Sequence, residues 1–148
     1  MTEIGPLIAR RLYQDKVIPD GCHVMLSEVG NSRIPPLTEV PRPTPKVVTG
    51  PGGLLVSTRC PDFGTVELEI WAGDPGLDQR EVVFDGLLET VVRGFDSGPA
   101  TAVFFHVNAP PGSYRVRADV HRDARGYVDS ARFVFLDAVG LDGETVNR

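Results

Sequence analysis

The segment Pro110-Pro111-Gly112-Ser113-Tyr114-Arg115-Val116-Arg117-Ala118-Asp119-Val120-His121 constrains the fold more than any other stretch of the chain. A rigid turn releases a run in which Tyr114, Val116, Ala118 and Val120 point one way and Arg115, Arg117, Asp119 and His121 the other. Side chains alternate along a strand. A run with one apolar and one charged face therefore belongs to an antiparallel sheet that is covered on one side only.

Similar runs recur upstream and downstream. Residues 54–59, 65–71, 81–84, 87–92, 101–107, 114–121 and 130–136 read as seven strands at sandwich-like spacing. Segment 87–92 reads as strand in preference to a helical crossover. Asp85-Gly86 has the chemistry of a two-residue hairpin turn, and Gly73-Asp74-Pro75-Gly76 and Asp96-Ser97-Gly98-Pro99 that of further reversals. Sixteen Gly and thirteen Pro suit many short strands and tight turns. The expected fold class is all-β: an antiparallel β-sandwich of about seven to nine strands with an irregular, Pro-rich N-terminal region.

The last two strands allow a register to be proposed. With Asp119 opposite Arg132, the inner face sets Val116 against Phe135, Ala118 against Phe133 and Val120 against Ala131. Small opposes large in the manner of a filled core. A slip of one residue would turn both phenylalanines outward, whereas a slip of two would keep them inward and is the alternative register. The outer face, with Arg117, Asp119 and Arg132, is expected to be wet.

Residues 1–50 are expected to form an arm that packs on or wraps a sandwich domain of residues 51–148. Gly5-Pro6 suits the opening of a short helix reaching Tyr13, and residues 22–28 a strand. Five prolines between Pro35 and Pro45 enforce extended backbone, suited to a blunted edge.

The formal net charge of −5 is uneven. Residues 51–100 carry nine acidic and three basic groups, whereas the flanking stretches are close to neutral. Such a field repels nucleic acid and suits either a cationic partner or simply a solvated face that aids solubility. No apolar run approaches the length that spans a bilayer, and none near the start suits a secretory signal. With two cysteines, Cys22 and Cys60, the chain is not a disulfide scaffold. It is expected to be cytoplasmic with both thiols reduced, a Cys22–Cys60 bridge being the alternative.

Gly112-Ser113-Tyr114-Arg115-Val116-Arg117, followed by Arg122-Asp123-Ala124-Arg125-Gly126, resembles a run found late in uncharacterised small β-sandwich proteins of actinobacteria. Val66-Glu67-Leu68-Glu69-Ile70-Trp71 is similar to another strand of that group. The resemblance covers about residues 54–136. More distantly, the group looks like the competence-protein-J type of sandwich, whose known member inhibits a partner nuclease. This chain departs from the pattern in its Pro-rich front and at Phe135-Leu136-Asp137, where an ending with tryptophan is usual. The resemblance implies a sandwich and a protein partner, and carries over no binding residue.

Catalytic constellations do not emerge. His23, His106 and His121 fit no metal-binding spacing, and His106 reads as a core or boundary residue. No Gly-x-Ser-x-Gly elbow is present. Asp74, Asp78 and Asp85 flank a loop, but their spacing is not that of a calcium-binding hand. Arg115, Arg117 and Arg125 with Tyr114 or Tyr127 make too small a basic spot for nucleic acid at an isoelectric point near 5.1. Neither a catalytic residue nor a metal or cofactor is expected.

The candidate partner-binding residues are Glu67, Glu69, Trp71, Asp74 and Asp78. Trp71 either stands beside the two glutamates as an anchor for a basic partner or, with the strand ending at Ile70, tucks under the 73–80 loop. The leading function is a non-catalytic protein-binding sandwich, in its sharpest form an inhibitor or immunity-type partner of a cationic enzyme such as a nuclease. The alternative is a structural or assembly component of a virion or secretion machine. Oligomeric state is not legible in the sequence.

Overall fold

The computed structural model describes residues 9–17, 23–28, 47–50, 53–60, 62, 64–91, 94–96, 103–138 and 141–147. They form eleven strands in two sheets. One sheet contains β1 (Arg10–Val17), β5 (Val66–Ala72), β10 (Val128–Phe135), β9 (Gly112–Arg122) and β6 (Glu81–Thr90), in that spatial order. The other contains β11 (Asp142–Asn147), β8 (Val103–Asn108), β7 (Phe95–Asp96), β2 (His23–Glu28), β4 (Gly53–Ser57) and β3 (Val47–Gly50). Every described pairing is antiparallel except β5 with β10, which run parallel. The all-β sandwich class is what the alternating pattern dictates.

The dry interior lies between the sheets. Leu68, Ile70, Leu88, Val116, Phe133 and Phe135 from the five-stranded sheet meet Val24, Leu26, Leu54, Val56, Phe95 and Val107 from the other. Phe95 stacks at a tilt on Phe135 with ring centres 5.6 Å apart, and Tyr114 meets both rings edge-on at 6.0 and 6.2 Å. Burying each such ring contributes about 1.5–3 kcal/mol. The Tyr114 hydroxyl donates to the Pro110 carbonyl at 2.5 Å, tying the strand to its own turn.

The β9–β10 register is the one the sequence predicts: Val116 opposes Phe135, Ala118 opposes Phe133, and Asp119 opposes Arg132.

Several expectations are corrected. The helix reaching Tyr13 is instead strand over Arg10–Val17, because pairing with β5 overrides local propensity. Residues 1–8 lie outside the described set. Asp85-Gly86 is not a hairpin. It lies inside the ten-residue β6, opposite Arg117 and Val116 of β9, and segments 81–84 and 87–92 belong to one strand up to Thr90. Gly86 is there for space: a Cβ would stand 2.8 Å from Cζ of Phe84. Cys60 is disulfide-bonded, against the expectation of reduced thiols. Cys22, the Pro-rich run of 31–45 and the Ser97-Gly98-Pro99 turn lie outside the described residues. Of the expected arm, β1 and β3 are edge strands and β2 is an inner strand of its sheet. No helix among the described residues is long and apolar enough to cross a membrane.

Candidate partner-binding face

β5 alternates as its sequence requires. Val66, Leu68, Ile70 and Ala72 enter the core, so Glu67, Glu69 and Trp71 share the outer face of the five-stranded sheet. The strand runs to Ala72, past the Ile70 end point. Trp71 is half-buried, and its Nε1 donates to Glu69 Oε1 at 2.9 Å. Glu69 is only 9% exposed. Glu67 accepts from Gln14 Nε2 of β1 at 3.2 Å.

Residues 73–80 leave β5 and fold back over this face before entering β6. Gly73 N–H donates to the Phe135 carbonyl at 2.8 Å. Asp74 Oδ1 accepts from the Gly76 N–H at 2.8 Å, closing a local turn. At the tip, Arg80 N–H donates to the Leu77 carbonyl at 2.9 Å, and Asp78 and Gln79 between them have φ of 48° and 68°. Two central residues at positive φ make this a turn of the I′ kind. Asp78 is exposed at that tip.

Beneath the strap the outer face holds a buried ionic cluster. Asp119 is fully buried and receives three guanidinium groups. Arg132 donates in a fork, Nε to Oδ1 at 2.7 Å and Nη2 to Oδ2 at 3.2 Å. Arg80 Nε reaches Oδ1 at 2.5 Å, and Arg117 Nε reaches Oδ2 at 3.3 Å. Each arginine also fastens something else. Arg132 Nη2 donates to the Gly76 carbonyl at 2.8 Å, Arg117 Nη2 to Asp74 Oδ1 at 2.9 Å, and Arg80 Nη2 to Ser130 Oγ at 3.0 Å. The strap is thus bolted to β9 and β10 through one carboxylate. Val134, pointing to this outer side, is fully buried.

The hydrogen bond from Arg117 holds the Asp74 carboxyl below its ordinary pKa. Burial works against the charged form of Arg117, but Asp74 and Asp119 outweigh it and the guanidinium titrates above its usual value.

This arrangement changes the meaning of the acidic middle third. Asp74 pairs with Arg117 at 2.9 Å, Asp85 with Arg115 at 3.0 Å, and Glu81 with Arg122 at 2.9 Å. Much of the sequence-level excess is therefore neutralised by arginines of β9. The same pairings disperse the basic spot, since Arg115 and Arg117 face carboxylates. Asp74 and Asp85 bond different guanidiniums rather than a common centre, and no described group of three His, Cys, Asp or Glu is placed to hold a metal. His106 sits half-buried with Nδ1 2.9 Å from Asp96 Oδ1, a boundary histidine as expected.

Five candidate residues thus lie on one side of one sheet, in two roles. Glu67, Trp71 and Asp78 remain accessible, whereas Glu69 and Asp74 are engaged in holding Trp71 and the strap. Sequence reasoning missed Leu77, Val82 and Leu87, which are 39%, 42% and 66% exposed on the strap and on the edge strand β6. The three consecutive apolar residues Val82, Val83 and Phe84 give no clue to which of them points outward, because a bulge between Val82 and Phe84 shifts the alternation.

No family model matches the chain. A search of curated proteins finds no match. Among solved structures, ComJ of Bacillus subtilis, the inhibitor of the DNA degrading activity of NucA, aligns with a TM-score of 0.59. The alignment covers 87% of this chain and 98% of ComJ, at 6% sequence identity. The two chains share a fold, as the distant resemblance in the sequence implies. The neighbour is an inhibitor and not an enzyme.

Proposed function

We propose that this protein is a non-catalytic protein-binding sandwich acting as an inhibitor or immunity-type partner of a cationic enzyme, with a nuclease as the leading class. The observation that carries the reading is a rigid outer face. A strap fixed by a buried carboxylate carries exposed Leu77 and Asp78, and the same sheet presents exposed Val82 and Leu87 on its edge strand β6 and the half-buried Trp71 on β5. Exposed apolar side chains on a preorganised surface mark interaction sites, because little ordering entropy is lost on docking. Likeness of fold to a nuclease inhibitor supports the same class. Glu67, Trp71 and Asp78 are assigned to contact, and Glu69 and Asp74 to positioning.

The test is affinity capture from the native lysate followed by mass spectrometry, with the unaltered protein and with Trp71→Ala and Leu77→Asp variants. One stoichiometric protein retained by the unaltered chain and lost from both variants is the expected result. Absence of any stoichiometric partner, or retention unchanged by both substitutions, defeats the proposal.

A further inference from the structure

A cleft of about 330 Å³ opens at one end of the same outer face, lined solely by polar and charged residues. β1 contributes Lys16, β5 Glu67 and β10 Ser130, with Arg59, Arg80 and His121 around them. The fixed cations outnumber the carboxylates. Lys16, Arg59 and Arg80 carry permanent charge, against Glu67 and Asp129. The two acids are already engaged, Glu67 by Gln14 at 3.2 Å and Asp129 by His121 Nδ1 at 2.8 Å.

The arginines are held both by groups in the cleft wall, Thr65 and Ser130, and by carboxylates behind it, Asp123 and Asp119. Arg59 Nε donates to the Thr65 carbonyl at 3.0 Å and Nη1 to Asp123 at 3.2 Å. Arg80 is held by Asp119 and Ser130, which leaves its Nη1 without a partner among the described residues. The Lys16 ammonium likewise makes no ion pair among them. Donors fixed before a ligand arrives lose little entropy on binding it, and planar guanidiniums match the paired oxygens of an oxyanion.

We infer that this cleft binds a phosphate group, held by Lys16 and Arg80 with Arg59 and His121 completing the rim. The site shares Glu67 with the proposed protein-binding face, but its argument does not rest on that role. The volume admits a phosphate ester as well as the free anion.

The test is titration of isotope-labelled full-length protein with inorganic phosphate at low ionic strength, followed by amide chemical shifts. Saturable shifts centred on Lys16, Thr65, His121 and Ser130 are expected, with a Kd on the order of 1 mM. Lys16→Gln, an exposed change that spares the fold, weakens binding about fivefold. Arg11→Gln, at the other end of the same strand, leaves it unchanged. A nucleoside monophosphate titrated in parallel identifies the source: tighter binding than phosphate assigns the site to phosphate esters, and equal binding to the free anion. Shifts that do not saturate, or an equal loss in the Lys16 and Arg11 variants, overturn the inference.

Discussion

The two faces of the β9–β10 hairpin come from the same nineteen or so side chains and the same alternation, yet only one of them behaves as its composition suggests. The inner face is apolar and dry, small against large in the expected register. The middle of the outer face is charged and also dry: Arg117 and Arg132 are 7% exposed and Asp119 is 0% exposed, whereas Arg115 and His121 at its ends are exposed. Alternation reports which side a residue points to. It does not report what lies on that side, and here a segment some forty residues away in sequence lies on it. A charged face covered by a loop must satisfy its charges internally, so the strap and the ionic cluster require each other.

The largest effects come from breaking either face. Phe133→Ala empties a fully buried site and costs about 3–5 kcal/mol in urea unfolding. Asp119→Ala leaves three guanidiniums around a missing carboxylate and costs a comparable ~3–5 kcal/mol. Hydrogen exchange separates them. Loss of Asp119 should speed exchange at Gly73, Gly76 and Arg80 selectively, whereas loss of Phe133 should weaken all strands together. Equal protection of the strap in both variants would show that the cluster does not fasten it.

A second comparison sharpens the first. Replacing Asp119 with Leu and Arg80, Arg117 and Arg132 with Met removes the whole cluster. Apolar replacement of a buried ionic group is often neutral or stabilising, so the quadruple variant should be more stable than Asp119→Ala alone. If it is less stable, the network contributes net energy beyond satisfying its own charges.

Acid titration is gentler and acts on the outer face first. The Arg117 hydrogen bond lowers the Asp74 pKa below its ordinary 3.8. A carboxyl with a depressed folded pKa contributes stability that is present above the unfolded value and lost as pH falls through the folded one. Strap anchoring should therefore be complete above about pH 5 and weaken below pH 3.8. Trp71 is the single tryptophan and lies on this face, so its emission should change over that window. In Asp74→Asn the transition should shrink. An identical profile in that variant would assign it to other acids.

What was legible follows the same division. The inner pairing of Val116, Ala118, Phe133 and Phe135 was readable because it depends on neighbours joined by a short turn. Alternation puts Glu67 and Glu69 on one face of β5, but whether Trp71 joins them depends on where the strand ends, and only its run past Ile70 to Ala72 puts Trp71 there. Asp85-Gly86 misled because its turn chemistry is real but is outweighed by pairing along β9. β11 was missed for a related reason: Gly143 looks like a breaker, yet it lies under the Phe105 ring, where a Cβ would come within 2.0 Å of Cζ. Glycine inside a strand here marks an aromatic ring crossing it. The covering of Asp119 had no local signal at all, since Arg80 contributes from outside the hairpin.

The smallest predicted effect probes how rigidly the strap tip is held. Gln79 sits at φ 68°, where a residue with a Cβ is strained by about 1–2 kcal/mol. Asp78 at φ 48° is better tolerated, because short Asp side chains stabilise that region. Gln79→Gly relieves the strain but gives the unfolded chain about 0.5–1 kcal/mol more entropy to lose. The net should be a gain of up to about 1 kcal/mol in urea unfolding, larger than for Asp78→Gly. The same substitution also discriminates between two uses of the tip. If the turn is held in shape for a partner, Gln79→Gly should raise stability while weakening capture, because the docking conformation is then less preorganised. If the turn only closes the cover over Asp119, stability rises and partner capture stays as it was.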